Sequence, residues 1–126
     1  VNPRWRVGKI VREAWTPPDT LMKAFGIEPH WLKRFPSALS GGELQRVCVL
    51  RALAPGVRYV VADEISTMLD PITQLTLWQA LRAQAERHNL GVLVISHDTA
   101  LLKRLCHQRW HLAGGQLAAG TALEAP

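Results

Sequence analysis

Two short, almost unbroken apolar runs, residues 57–62 and 92–95, constrain this chain more than any other feature. Pro55-Gly56 precedes the first and Gly91 the second, and each run is too short for a helix of ordinary length. Runs of this kind are expected of parallel strands covered on both faces. Between them lies a helical pattern that opens at Asp70-Pro71, an N-cap residue followed by a proline at the first helical position. Its periodicity turns Leu75, Trp78, Leu81 and Ala85 inward and Gln74, Gln79, Arg82 and Glu86 outward. Strand, helix, strand in this order predicts an α/β fold built on a parallel sheet core with right-handed crossovers.

The chain before residue 56 is helical in pattern. Val7, Ile10, Val11, Ala14 and Trp15 recur at helical spacing, and Pro17-Pro18-Asp19 stops that helix. A second apolar helical piece follows at about residues 20–25 with Gly26 as its C-terminal cap, and Pro29 opens a short helix carrying Trp31 and Leu32. Ser40 with Glu43 three residues on has capping-box spacing. Leu44, Val47, Cys48 and the apolar positions through Leu53 predict a mostly buried helix after it. Beyond the second strand, residues 99–106 read as a helix. Residues 109–112, Gly114-Gly115 and 116–118 then read as strand, turn, strand. The expected division is a helical subdomain over 1–55 and an α/β core over 56–126.

Composition narrows the classes. The 126 residues, 48% apolar and 20% charged, suffice for one globular core. No stretch approaches the roughly 20 apolar residues that cross a bilayer. The opening Val1-Asn2-Pro3-Arg4-Trp5-Arg6 has neither an initiating Met nor a signal-peptide core, so an internal start is expected. Cys48 and Cys106 read as small buried hydrophobes rather than a disulfide or zinc framework. Of the net charge of +5, residues 1–35 carry most, seven Lys/Arg against three Asp/Glu, but these cations are scattered along the chain. A solvated face is expected there, with no nucleic-acid partner.

The chemistry concentrates in three places. Asp63-Glu64 follows the first apolar run, at the carboxyl edge of the sheet where ligands bind in open α/β folds. Asp63 is the candidate Mg²⁺ ligand, and Glu64 the candidate base for the water that attacks a γ-phosphate. Ser40, Gly41, Gly42 and Glu43 start a helix, where free N–H groups and the helix dipole favour an anion such as the phosphates of ATP. The same four residues equally suit a plain cap with a loosened turn. His97 follows the second run and can meet a phosphate or the attacking water. His30, His88, His107 and His111 carry no motif and are expected on the surface. A phosphate-cradling G-x-x-x-x-G-K-[ST] loop is absent: Gly8-Lys9 is the only Gly-Lys, with Pro3 and Ile10 at the other required places.

Leu39-Ser40-Gly41-Gly42-Glu43 resembles the signature motif of ATP-binding cassette (ABC) ATPases. Residues 60–64 resemble their Walker B strand, Met68-Leu69-Asp70 the D-loop, Ser96-His97-Asp98 the switch-histidine loop, and Gly115-Gln116-Leu117 with Gly120 the closing hairpin. Asn2-Pro3-Arg4 with Val7-Gly8 is similar to the segment after the Q-loop in the oligopeptide, dipeptide and nickel importers. Ile65 stands where the family usually has Pro, and Thr67-Met68 where it usually has Ser-Ala.

The resemblance implies an incomplete P-loop NTPase fold of the ABC ATPase type. By position it makes Asp63 the Mg²⁺ carboxylate, Glu64 the base and His97 the γ-phosphate contact. Ser40, Gly41, Gly42 and Glu43 would close over ATP held by a second subunit, and Asp70 would lie at the dimer interface. The implied partners are a second ATPase subunit and transmembrane permease subunits, at the cytoplasmic face of the inner membrane. The expected function is the C-terminal part of the ATP-hydrolysing subunit of a peptide or nickel-chelate importer, inactive by itself for want of the P-loop. A truncated, purely interacting chain and a soluble, non-transport ABC ATPase are the alternatives.

Overall fold

The computed structural model describes residues 1–120. Helices α1 (Val7–Ala14) and α2 (Asp19–Ala24) lead into two 3₁₀ turns, Pro29–Lys33 and Pro36–Ala38, and then α3 (Gly41–Ala52). There follow β1 (Tyr59–Asp63), α4 (Pro71–His88), β2 (Gly91–Ile95), α5 (Thr99–Leu105) and the strands β3 (Trp110–Ala113) and β4 (Gln116–Ala119). β1 and β2 pair in parallel, Tyr59 opposite Gly91 through Asp63 opposite Ile95; β3 and β4 form an antiparallel hairpin.

The boundaries have local causes. The Asp70 carboxylate accepts from the N–H groups of Ile72 and Thr73, and Pro71 takes the first position of α4. Asn89, at φ 52°, ends α4 in the left-handed conformation asparagine tolerates. Gly26, at φ 63°, closes α2 as the pattern predicts.

One hydrophobic cluster holds the chain together. Val7, Val11, Leu21, Phe25 and Trp31 from the helical region meet Val47 and Leu50 of α3, Val60 and Ala62 of β1, and Leu77, Trp78 and Leu81 of α4. The indole N–H of Trp15 donates to the Leu50 carbonyl at 3.1 Å, tying α1 to α3. The Arg51–Glu13 ion pair at 2.7 Å joins the same helices on the surface, where such pairs add little.

Three sequence expectations are corrected. β1 and β2 are covered on one face, not both: Val60 and Ala62 face the core, while Tyr59, Val61, Leu93 and Ile95 are exposed. The described helices supply only one apolar layer, so strand alternation shows in the burial pattern although the residues are apolar throughout. In α4 the buried stripe runs through Leu77, Trp78 and Leu81, leaving Leu75 exposed and placing Gln74 at its edge. At about 100° per residue, a one-position error in phase moves a side chain from core to solvent. In α3 the inward positions are Val47, Val49 and Leu50, and Cys48 is exposed rather than buried.

Candidate functional site

The end of β1 brings the acidic pair beside the end of β2. Asp63 is the last residue of β1 and is exposed. Glu64 turns out of the strand at φ 47°, and its N–H still reaches the Ile95 carbonyl at 3.0 Å. One Glu64 carboxylate oxygen, Oε1, accepts from the His97 backbone N–H at 3.1 Å and lies 3.7 Å from His97 Nε2. The His97 ring is fully exposed and free to turn toward a ligand. Parallel pairing accounts for this meeting: with Asp63 opposite Ile95, both strands end level, and the residues after each strand land at one edge.

A second cluster forms where α3 begins. Ser40 Oγ accepts from Glu43 N–H at 3.2 Å, and the Glu43 carboxylate accepts from Ser40 N–H at 2.7 Å, completing the capping box. That backbone hydrogen bond, with a smaller pull from Arg34 and Arg46, holds the Glu43 carboxyl below the usual glutamate range. Met68, Leu69, Asp70 and Thr73 face the same helix start across a cleft of about 300 Å³. The approach is close: a Cβ at Gly41 would stand 2.6 Å from Met68 Sδ, and one at Gly42 2.9 Å from Leu69 Cδ2 and 3.1 Å from the Met68 carbonyl oxygen. The diglycine therefore admits the 66–70 loop of its own chain. The Gly41 and Gly42 N–H groups, at the first two helical positions, have no carbonyl one turn back to bind.

Asp70 carries its own constraint. Both carboxylate oxygens serve the α4 cap, Thr73 Oγ1 donating at 2.5 Å, and these bonds lower its pKa. The two clusters are linked by Gln45, whose side-chain amide donates to the Glu64 carbonyl at 3.2 Å, and by Thr67, whose hydroxyl does the same at 3.2 Å. The sequence reading missed both. It also missed Ser66, the buried hydroxyl that accepts from Gln74 Nε2 at 2.9 Å and Trp78 Nε1 at 3.0 Å, anchoring the loop to α4. A buried Trp needing an acceptor was the one available signal.

The donor set suits Mg²⁺ in one respect. Among the described residues no group of three or more His, Cys, Asp or Glu could cage a metal. Mg²⁺ instead takes one or two carboxylates and completes its shell with water and phosphate oxygens, for which the exposed Asp63 is placed. The helix start, with undischarged N–H groups, suits phosphate.

The basic residues converge, contrary to the sequence expectation. Arg4, Arg6, Lys9, Arg12 and Lys33 surround a surface pocket of about 600 Å³ beside Trp5 and Phe35. Lys9 Nζ lies 4.0 Å from the Trp5 ring centre and the Arg6 guanidinium 5.1 Å from that of Phe35. Cations scattered along the chain meet because α1 packs on the first 3₁₀ turn.

Removing the cap should weaken the helix start. Ser40→Ala is expected to cost about 1 kcal/mol of stability near neutral pH. Because the folded-state pKa of Glu43 is lowered, its contribution is complete above the ordinary glutamate pKa and is lost as pH falls through the lowered value. Urea unfolding of the parent protein and Glu43→Ala between about pH 3 and pH 7 checks this, since the gap should narrow toward the acid end. A gap constant with pH would show that the carboxylate does not take part.

No protein-family model matches the chain. Over 120 residues it is 35% identical to the nickel import ATP-binding protein NikE of Rhodospirillum rubrum, a match covering 86% of this chain and 43% of that protein. It is 41% identical over 83 residues to the methionine import ATP-binding protein MetN 3 of Pseudomonas fluorescens, covering 66% of this chain and 26% of that protein. The chain thus spans less than half the length of these curated relatives. Among solved structures, an ATP binding subunit of an ABC transporter superposes with a TM-score of 0.79 at 24% identity, covering 96% of this chain and 55% of that one.

Proposed function

Because this chain belongs to the family of ABC transporter ATP-binding subunits, we propose that it is part of the ATP-hydrolysing subunit of an importer for peptides or nickel chelates. The observation that carries the reading is the Glu64–His97 contact at the sheet edge, 3.1 Å from backbone N–H to carboxylate. The similarity to a nickel import protein supports the cargo class.

In this reading Glu64 Oε1 orients the attacking water and takes its proton, while the exposed imidazole of His97 hydrogen-bonds the γ-phosphate. Mg²⁺ held through Asp63 would neutralise charge on the phosphate oxygens. Ser40, Gly41 and Gly42, fixed by the Glu43 carboxylate, present N–H groups to ATP bound by a second subunit. Asp70 keeps the neighbouring loop rigid at the subunit interface. Residues 1–55 form the helical subdomain that meets the permease subunits and residues from 56 on belong to the α/β core, the stretch 121–126 of that division lying outside the described residues. No helix among the described residues is long and apolar enough to cross a membrane; attachment at the cytoplasmic face of the inner membrane is part of the same proposal.

The 126 residues hold no G-x-x-x-x-G-K-[ST] loop, so alone they should hydrolyse Mg·ATP no faster than background. The full-length subunit carrying them should hydrolyse ATP, and disrupting its gene should abolish uptake of labelled nickel chelate or dipeptide. Robust turnover by the isolated 126 residues would overturn the division of the site. Undiminished uptake of both solutes would overturn the importer assignment.

A further inference from the structure

We propose that Gln45 is a positioning residue for hydrolysis, its amide clamping the Glu64 backbone in the left-handed conformation that presents the carboxylate to His97. The inference rests on the reading of Glu64 as the residue that orients water. Among the described residues only Glu64 and Asn89 have positive φ without being glycine. Asn89 is a helix C-cap, where that conformation is easily met. A glutamate has no such local compensation, so its surroundings must hold it there.

Those surroundings can be named. The Glu64 N–H is fixed by Ile95 at 3.0 Å and its carboxylate by the His97 N–H at 3.1 Å. Its carbonyl is held by two side chains, Gln45 Nε2 and Thr67 Oγ1, each at 3.2 Å. Gln45 is half-buried, and its Oε1 is enclosed without a hydrogen-bond partner, an energetic cost. An apolar residue of that length would bury more cheaply, so the amide is explained by the bond it donates.

Gln45 sits on α3, five residues beyond the Ser40 cap. The helix that begins at the serine-diglycine therefore also carries the clamp on Glu64. Without the clamp, Glu64 relaxes toward negative φ and its carboxylate leaves the His97 N–H.

The test uses the full-length subunit. Gln45→Leu should lower kcat about tenfold, within the loss expected of a misplacement of about 1 Å, with KM for ATP and nucleotide affinity changed less than about twofold. If Gln45→Leu does not fold, Gln45→Met, which keeps the length of the side chain without its amide, takes its place with the same expected and overturning results; Thr67→Val should lower kcat in the same manner and Thr67→Ser restore it. Added to Glu64→Gln, Gln45→Leu should cause no further loss in single-turnover rate. Unchanged kcat in Gln45→Leu, or equal losses in both backgrounds, would overturn the inference while leaving Glu64 in place. Near-native turnover by Glu64→Gln alone would remove the base assignment and this inference with it.

Discussion

Glu64→Gln in the full-length subunit is expected to cut ATP hydrolysis by two to four orders of magnitude, about the contribution of a positioned general base. ATP binding should persist. The amide is nearly isosteric and its oxygen still accepts from the His97 N–H, so the 3.1 Å contact and the left-handed backbone can remain. Only the capacity to take a proton is removed. On the proposed two-subunit reading, ATP should then stay bound in a dimer that cannot discharge it. Steady-state phosphate release, equilibrium nucleotide binding and gel filtration with ATP together check this. Full turnover by the variant would move the base to another residue.

Trp78→Ala should be among the most damaging substitutions to stability, about 3–5 kcal/mol for loss of a buried Trp. Trp78 is 4% exposed and lies in the cluster that joins α4 to β1 and the helical region. Its indole N–H also satisfies the buried Ser66 hydroxyl, leaving Gln74 as the remaining partner once it is gone. The effect should therefore reach the 66–70 loop, which lies against Gly41 and Gly42. Urea unfolding measures the first consequence, and hydrogen exchange at the Leu69 amide, bonded to the Ser66 carbonyl at 3.2 Å, the second. Trp78→Phe should recover much of the packing but not the loop protection. Protection in Trp78→Phe equal to that of the parent would show that Ser66 is held by Gln74 alone.

The two site clusters were legible to different degrees. The Ser40–Glu43 capping box depends on residues three apart, so spacing alone announces it. The approach of Glu64 to His97 was also inferable, because strand, helix, strand implies parallel pairing and parallel strands deliver their next residues to one edge. Gln45 was not legible as a partner of Glu64. Nothing in the sequence separation of 19 records that α3 lies beside the end of β1. The convergence of Arg4, Arg6, Lys9, Arg12 and Lys33 was hidden for the same reason, since charge read along a chain carries no information about which turns face each other.

By itself the sequence determined the local elements: caps at Ser40 and Asp70, the left-handed turn at Gly26 and the two apolar strands. These are set by hydrogen bonds and dihedral preferences within a few residues. Tertiary packing alone decided which faces are covered, why Leu75 and Cys48 point outward, and how Gln45 and Thr67 come to hold the Glu64 carbonyl. The physical reason is that burial and long-range hydrogen bonds depend on the phase and approach of whole elements. A rotation of about 100° or a shift of a few ångströms changes them without changing any local preference.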